Sequence, residues 1–404
     1  MSRANYKRLG DYIQAVKNKN TDLKAKELLG INIDKFFMPS VANVVGTDMS
    51  RYKTVSKNQF ACNRMHVGRD YRIPVALSRT DEVFMVSPAY DVFEITDTEI
   101  LNPEYLMMWF SRKEFDRNAW FYTDADVRGG LNWKAFCDMQ LPIPSIEKQN
   151  AIIKEYNTVV NRIKLNEQLN QKLEETAQAI YKHWFVDFNF PDENGKPYKL
   201  SGGRMVWNEV LGKDIPEGWE VDSFTKVLSF GGGGTPSTTI NEYWTGDIPF
   251  YTPGDLGKQY YCLSTVKTIS ELGLSKCSSK LYPKNTIFLT ARGATVGGVV
   301  LSSKPMAMNQ TCYAIWGDKN NKYFAHQLTI MTIKRLKKDA VGATFEALVT
   351  KDFNEYFVIN PPNNLKSIFD IKVSSIYEML LIESNQIQKL HSIINLILSK
   401  MSKL

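Results

Sequence analysis

Residues 152–184 read IIKEYNTVVNRIKLNEQLNQKLEETAQAIYKHW, and residues 369–401 read FDIKVSSIYEMLLIESNQIQKLHSIINLILSKM. In the first stretch Ile152, Tyr156, Val159, Ile163, Asn166, Asn170, Leu173, Ala177, Ile180 and Trp184 recur at alternating steps of four and three, the spacing of a coiled-coil seam. Moving each position by a constant 217 residues gives Phe369, Val373, Ile376, Leu380, Glu383, Ile387, Leu390, Ile394, Ile397 and Met401, a second complete seam. Even the polar break is shared, because Asn166 maps onto Glu383. A polar seam residue fixes register at a cost in stability.

The duplication extends upstream. Lys134-Ala-Phe136 and Leu141-Pro-Ile-Pro144 precede the first stretch, and Lys351-Asp-Phe353 and Val358-Ile-Asn-Pro-Pro362 precede the second, again 217 residues apart at Phe136/Phe353 and Pro144/Pro361. Leu131 is answered by Leu348. Paired prolines cannot donate to a strand ladder, so each should mark an extended exit, with Ser145 capping the first long helix. Upstream of 145, Gln59-Phe-Ala-Cys62, Arg72-Ile-Pro-Val-Ala-Leu77 and Tyr90-Asp-Val-Phe-Glu-Ile95 read as short strands, while Asn102-Pro103 opens a helix. The same texture returns from Pro216 to Pro362, where Lys284-Asn285 before Thr286-Ile-Phe-Leu289 echoes Lys57-Asn58 before Gln59-Phe-Ala-Cys62.

These patterns predict an α+β chain with a pseudo-twofold internal repeat: a mixed module over 1–145, a long helix over 146–187, a turn-rich linker over 188–215, a second mixed module over 216–362 and a second long helix over 363–404. Chain continuity makes the paired helices antiparallel. Each spans roughly 50 Å at 1.5 Å per residue, which could hold two DNA-reading modules about one to one and a half duplex turns apart.

The chain has 404 residues, 43% hydrophobic and 23% charged, with 50 Lys and Arg against 43 Asp and Glu, a formal net charge of +7. That bias permits a polyanionic partner without requiring one. No run of eighteen apolar residues occurs and Met1-Ser-Arg-Ala-Asn-Tyr6 precedes no apolar core, so neither a membrane span nor a secretory signal is expected, and a cytoplasmic location is. Cys62, Cys137, Cys262, Cys277 and Cys312 form no close pair, which argues against a disulfide framework and a zinc knuckle. The four histidines (His66, His183, His326, His391) have no metal-ligand spacing.

Motifs that imitate catalysis fail in detail. Asn360-Pro-Pro-Asn363 resembles the Asn/Asp-Pro-Pro-aromatic loop of amino-group methyltransferases, but Asn363 offers no π face for a flipped base. Phe230-Gly-Gly-Gly-Gly234 is followed by turn-formers rather than the helix that a dinucleotide or S-adenosylmethionine loop needs. What remains is polar and basic loops after equivalent strands: Asn63-Arg-Met-His-Val-Gly-Arg69 and Thr290-Ala-Arg-Gly-Ala-Thr-Val-Gly-Gly298. Arginine can bond guanine and asparagine or glutamine can bond adenine bidentately, so these loops are candidate base readers.

Several motifs carry a family resemblance. Gly233-Gly-Thr-Pro-Ser237, Tyr243-Trp-Thr-Gly-Asp-Ile-Pro249, Arg292-Gly293 and Asn309-Gln310 resemble the target-recognition domain of type I restriction-modification specificity subunits. Leu173 to Phe188 is similar to that family's central region, and Ile215-Pro-Glu-Gly-Trp219 to its usual entry to the second domain. Met65 to Arg69, Ser87-Pro-Ala-Tyr90 and Val127-Arg-Gly-Gly130 look like a variant of the same domain. The resemblance implies a non-catalytic subunit that reads a bipartite, asymmetric double-stranded DNA target. Two methyltransferase subunits, carrying S-adenosylmethionine, would dock on the helices for adenine-N6 methylation, and up to two motor-nuclease subunits would bring ATP and Mg; this chain would hold no cofactor or metal. The candidate DNA contacts are Asn63, Arg64, His66 and Arg69 in the first module and Thr252, Thr290, Arg292, Asn309 and Gln310 in the second. The candidate docking residues are Leu173, Ile180, Trp184, Phe185, Leu390 and Ile397. The competing readings are a self-contained DNA adenine methyltransferase and a coiled-coil adaptor that binds only proteins.

Overall fold

The computed structural model describes residues 6–42, 46–65, 67–123, 129–339 and 347–403. They form two compact units, Met1–Ile163 with Leu390–Leu404, and Lys164–Lys389.

The repeat offset holds element by element. A short helix (Trp133–Asp138), a strand (Gln140–Pro142) and a long helix (Ile146–Phe185) recur as Thr350–Asn354, Phe357–Asn360 and Asn363–Lys400. Each strand pairs antiparallel with one at the start of its module, Tyr6–Arg8 in the first and Glu220–Ser223 in the second. The prolines end these ladders as expected, and Asn360 accepts from Lys366 Nζ at the strand-to-helix exit. The Ser145 hydroxyl accepts from Lys148 N at 3.4 Å, and Asn102 caps Pro103–Phe110 by accepting from Glu104 N at 2.9 Å.

The central sheets share one strand order. In the first module it is Ile13–Val16, Asp91–Ile95, Phe60–Cys62, Val75–Leu77. In the second it is Ser229–Gly232, Cys312–Trp316, Ile287–Thr290, Val299–Ser302, to which Tyr261–Cys262 adds in parallel. The turns entering the central strands match as well. Asn58 and Asn285 hold φ of 64° and 67°, the left-handed region that asparagine tolerates better than most side chains. Their backbone N–H groups donate to the Ser78 and Ser302 carbonyls at 2.9 and 2.8 Å.

Each unit contains its own stretch of helix pairing. In the first, Ile152, Tyr156 and Val159 pack in one core with Ile394, Ile397 and Met401. In the second, Phe369 is fully buried with its ring 5.9, 5.9 and 5.3 Å from those of Tyr181, Trp184 and Phe185. Asn166 Nδ2 donates to Gln386 Oε1 at 3.3 Å, and Asn170 Nδ2 reaches Ser384 Oγ at 3.5 Å, so the two long helices run antiparallel here.

The buried face is wider than the predicted seam. Tyr181, Asp370 and Tyr377, each one position beyond it, are buried because the second module packs against that flank. The Tyr377 hydroxyl contacts His326 Nδ1 and accepts from Gln327 Nε2, both at 2.8 Å, while Asp370 accepts the N–H groups of Tyr323 and Phe324 that start the helix Lys322–Asp339. Burial drives the His326 pKa down to about 3, so it is a neutral packing residue.

Residues 188–215, where turn composition predicts a linker, are instead packed. Phe188 and Phe190 are buried with Trp219, Phe190 stacking on it at 4.9 Å, and Met205–Asn208 pairs with Lys213–Pro216 as a hairpin. Buried rings outweigh the turn residues around them. Among the described residues no helix is long and apolar enough to cross a membrane.

The polar layer makes a thermodynamic prediction. Glu383 is 6% exposed and its Oε2 has no hydrogen-bond partner. Glu383→Leu should therefore raise stability by about 1–3 kcal/mol; urea denaturation showing a loss would refute the assignment of this layer as a stability cost.

Candidate nucleic-acid interface

The antiparallel ladders bring distant loops of the second module to one end of its sheet. Thr290 pairs with Cys312, Leu289 with Val299 and Gly232 with Tyr313, so the segments beyond them converge. Backbone bonds lock them together: Ala291 N donates to Thr311 O, Leu348 N to Ala291 O, Asn309 N to Tyr251 O and Gly234 N to Met308 O, at 2.8 to 3.0 Å. Glycine is required here, since a Cβ on Gly233 would lie 2.0 Å from the Asn309 carbonyl oxygen. The glycine run is thus an edge strand and its close-packed continuation, not a cofactor loop.

Thr252, Arg292, Asn309 and Gln310 all gather at this end. Arg292 is exposed on the loop between Ile287–Thr290 and Val299–Ser302, with no ion pair among the described residues. Gly293 and Gly297 take φ of 94° and 74° to turn that loop. Gln310 is exposed and accepts from the Thr235 hydroxyl, while Asn309 Oδ1 accepts from Thr311 N and Oγ1 at 3.2 and 2.8 Å. Thr252 is held by Asp255, whose Oδ2 accepts from both its N and Oγ1 at 2.8 Å. Trp244 Nε1 donates to Ser237 O at 2.9 Å, joining two of the motifs singled out in sequence.

Thr290 is a correction. It is fully buried in the sheet beside Cys312 and Tyr251, and has no surface to offer a base. Burial raises the Cys312 thiol to about 12, so this layer is chemically inert.

The loop of the first module occupies the equivalent place, between Phe60–Cys62 and Val75–Leu77. Here Arg64 is committed internally. Its Nε meets Asp91 Oδ2 at 2.7 Å, Nη1 donates to the Leu131 carbonyl, and the guanidinium lies 5.5 Å from the Trp133 ring. It shapes the loop rather than projecting from it, which corrects its placement among outward-facing readers. Asn63 is half-buried, its Oδ1 accepting from Met65 N at 3.1 Å. Arg69 is exposed on the short helix Val67–Asp70 and pairs with Asp70 at 2.7 Å, a bond that raises its pKa. His66, Val127 and Arg128 lie outside the described residues. Gly68 and Gly129 touch backbone to backbone, where a Cβ on Gly68 would sit 2.7 Å from Gly129 Cα.

The docking residues inferred from sequence divide. Trp184, Phe185 and Ile397 are buried in the cores of their own units and cannot meet a partner; Leu173, Ile180 and Leu390 are half-buried. The sequence reading missed the opposite flank. Leu165, Leu169, Met379 and Ile382 are 42–58% exposed, at positions outside the seam and away from the flank covered by the module. Their signal was present as a second apolar stripe offset from the first. Among the described residues no group of three or more His, Cys, Asp or Glu side chains could hold a metal ion.

Residues 216–391 match the family model for the type I restriction modification DNA specificity domain. The chain is 26% identical to the type I restriction enzyme HindI specificity subunit of Haemophilus influenzae, covering 91% of each. It is also 26% identical to the MjaIX specificity subunit of Methanocaldococcus jannaschii, over 74% of this chain and 68% of that one. The crystal structure of the type I restriction-modification S subunit from M. genitalium shares the fold, with a TM-score of 0.54, 14% identity, and coverage of 99% of this chain and 97% of that one.

The two matched arginines should separate in stability measurements. Arg64→Ala strands the half-buried Asp91 and should cost about 1–3 kcal/mol, whereas Arg292→Ala should leave the melting temperature unchanged. Equal effects in thermal denaturation would contradict this division.

Proposed function

We propose that this chain, which belongs to the family of type I restriction-modification specificity subunits, reads a two-part DNA target with one module for each half. The observation that carries this reading is the pair of sheets of common strand order, each presenting its loops at the same end. In the second module Arg292, Gln310 and Asn309 supply the groups that recognise base edges, the first two from exposed positions and the third half-buried, on a scaffold locked by backbone hydrogen bonds. In the first module Arg69 and Asn63 are the accessible counterparts.

The chain performs no catalytic step in this reading. Two methyltransferase subunits bind it and bring S-adenosylmethionine for adenine-N6 methylation; up to two motor-nuclease subunits bring ATP and Mg for translocation and cleavage. A protein-only adaptor would have no need of reading loops held rigidly at equivalent sheet ends. The methyltransferase contact falls on the apolar flank of the long helices, where Leu165, Leu169, Met379 and Ile382 leave exposed surface that a partner helix could bury.

Two measurements test these assignments. In the assembled complex, Arg292→Ala should relax one half of the methylated target and leave the other intact, at about 1–3 kcal/mol for a lost bidentate contact; uniform weakening on random DNA would make it a phosphate contact. The double substitution Leu169→Asp with Ile382→Asp should abolish co-purification with the methyltransferase subunit while the chain's melting temperature is retained. Undiminished assembly would move the docking surface elsewhere.

A further inference from the structure

The opposite end of the second module's sheet carries a cavity of about 510 Å³, within the size range of small-ligand sites. It lies where Ser229 pairs with Trp316 and Ile287 with Ile315, at the far ends of the strands that lead to Arg292. Its wall combines an exposed indole with a group of lysines. Trp316 is 36% exposed, with Tyr282 beside it at 6.0 Å between ring centroids; the Tyr282 hydroxyl donates to Gly232 O at 2.7 Å, which fixes that ring in place. Around these rings stand Lys280, Lys284, Lys319 and Lys322, against one lining carboxylate, Asp318. None of the four lysines forms an ion pair among the described residues; Lys322 Nζ instead lies 4.7 Å from the Tyr323 ring centroid.

Ammonium groups in excess of carboxylates around a concave wall concentrate anions, and an exposed indole offers a planar, apolar face. Phosphate alone would use the first feature and leave the second idle. A nucleotide uses both, its base stacking on Trp316 and its phosphates reaching the lysines, the combination by which proteins hold unpaired nucleotides. We propose that this cavity is a nucleotide-binding site, occupied either by a free nucleoside phosphate or by the unpaired end of a DNA strand. The site does not depend on the DNA-reading assignment and would hold whether or not Arg292 reads a base.

The test is calorimetric titration of the full chain with ATP, adenosine, inorganic triphosphate and a 5′-phosphorylated single-stranded oligonucleotide. ATP should saturate at one per chain, with adenosine and triphosphate each weaker by about tenfold or more, as expected when either the stacking or the charge contribution is withheld. Trp316→Ala and the double substitution Lys284→Glu with Lys322→Glu should each weaken ATP by a similar factor, while Arg292→Ala should not. Binding of the oligonucleotide more tightly than ATP assigns the site to a strand end, and weaker binding assigns it to a free nucleotide. Absence of saturable heat with both ATP and the oligonucleotide at millimolar concentration, triphosphate binding as tightly as ATP, or affinity indifferent to both sets of substitutions, would overturn the proposal. Lys284 is exposed, so Lys284→Glu alone keeps the test open if Trp316→Ala or the change at half-buried Lys322 impairs folding.

Discussion

Burial of aromatic rings where the two long helices meet is the constraint on which the second unit depends. Phe369 sits among Tyr181, Trp184 and Phe185, and Phe185 in turn lies 4.9 Å from Phe324 of the module's own helix and 6.0 Å from Trp219. Such rings bury roughly 150–250 Å² each. Helix pairing and module packing therefore share one core and must form together. The carboxylate of Asp370, reaching from the second long helix to the first N–H groups of Lys322–Asp339, ties the same elements by hydrogen bonds. The first unit repeats the logic with Ile394, Ile397 and Met401 against a core containing Phe136 and Leu141.

The sheets convert this rigidity into placement. A strand buried on both faces cannot slide without moving every neighbour across the ladder. Loops leaving its end thus inherit fixed starting points, and on the proposed reading a loop held in place this way would give up less conformational entropy on meeting DNA. In the first module Arg64 contributes by tying Asp91, Leu131 and Trp133 together beneath the exposed residues. In the second, backbone hydrogen bonds and the approach of Gly233 to Asn309 do the same with fewer charges. Equivalent positions are stabilised by different chemistry, which fits the proposal that the two loops read different halves of a target.

The back half of each module was legible in sequence because its signals are local: a proline pair and a heptad frame repeated at one offset, with a capping serine in the first. What escaped were contacts between residues remote along the chain. Arg64 looks like a free loop arginine until Asp91, on another strand, takes up its guanidinium. Thr290 reads as polar and loop-proximal, yet every residue of Ile287–Thr290 is buried because the strand is central and covered on both faces, so alternation carries no information there. Trp184 and Phe185 look like docking groups from one helix alone. Only the packed module shows which flank they serve, and that the other flank is the one left open. The linker expected over 188–215 failed for a related reason, since turn residues describe where a chain bends and say nothing of what Phe188 and Phe190 bury.

The inert layer formed by Thr290, Tyr251 and Cys312 divides each change at the loop tips from the folding core below. Substitutions at Arg292 or Gln310 face solvent, whereas the residues that determine whether the module folds are screened behind that layer. If the tip residues read bases as proposed, new sequence preferences could accordingly arise by drift in a handful of them, and a lineage under pressure to alter its target could do so in single steps.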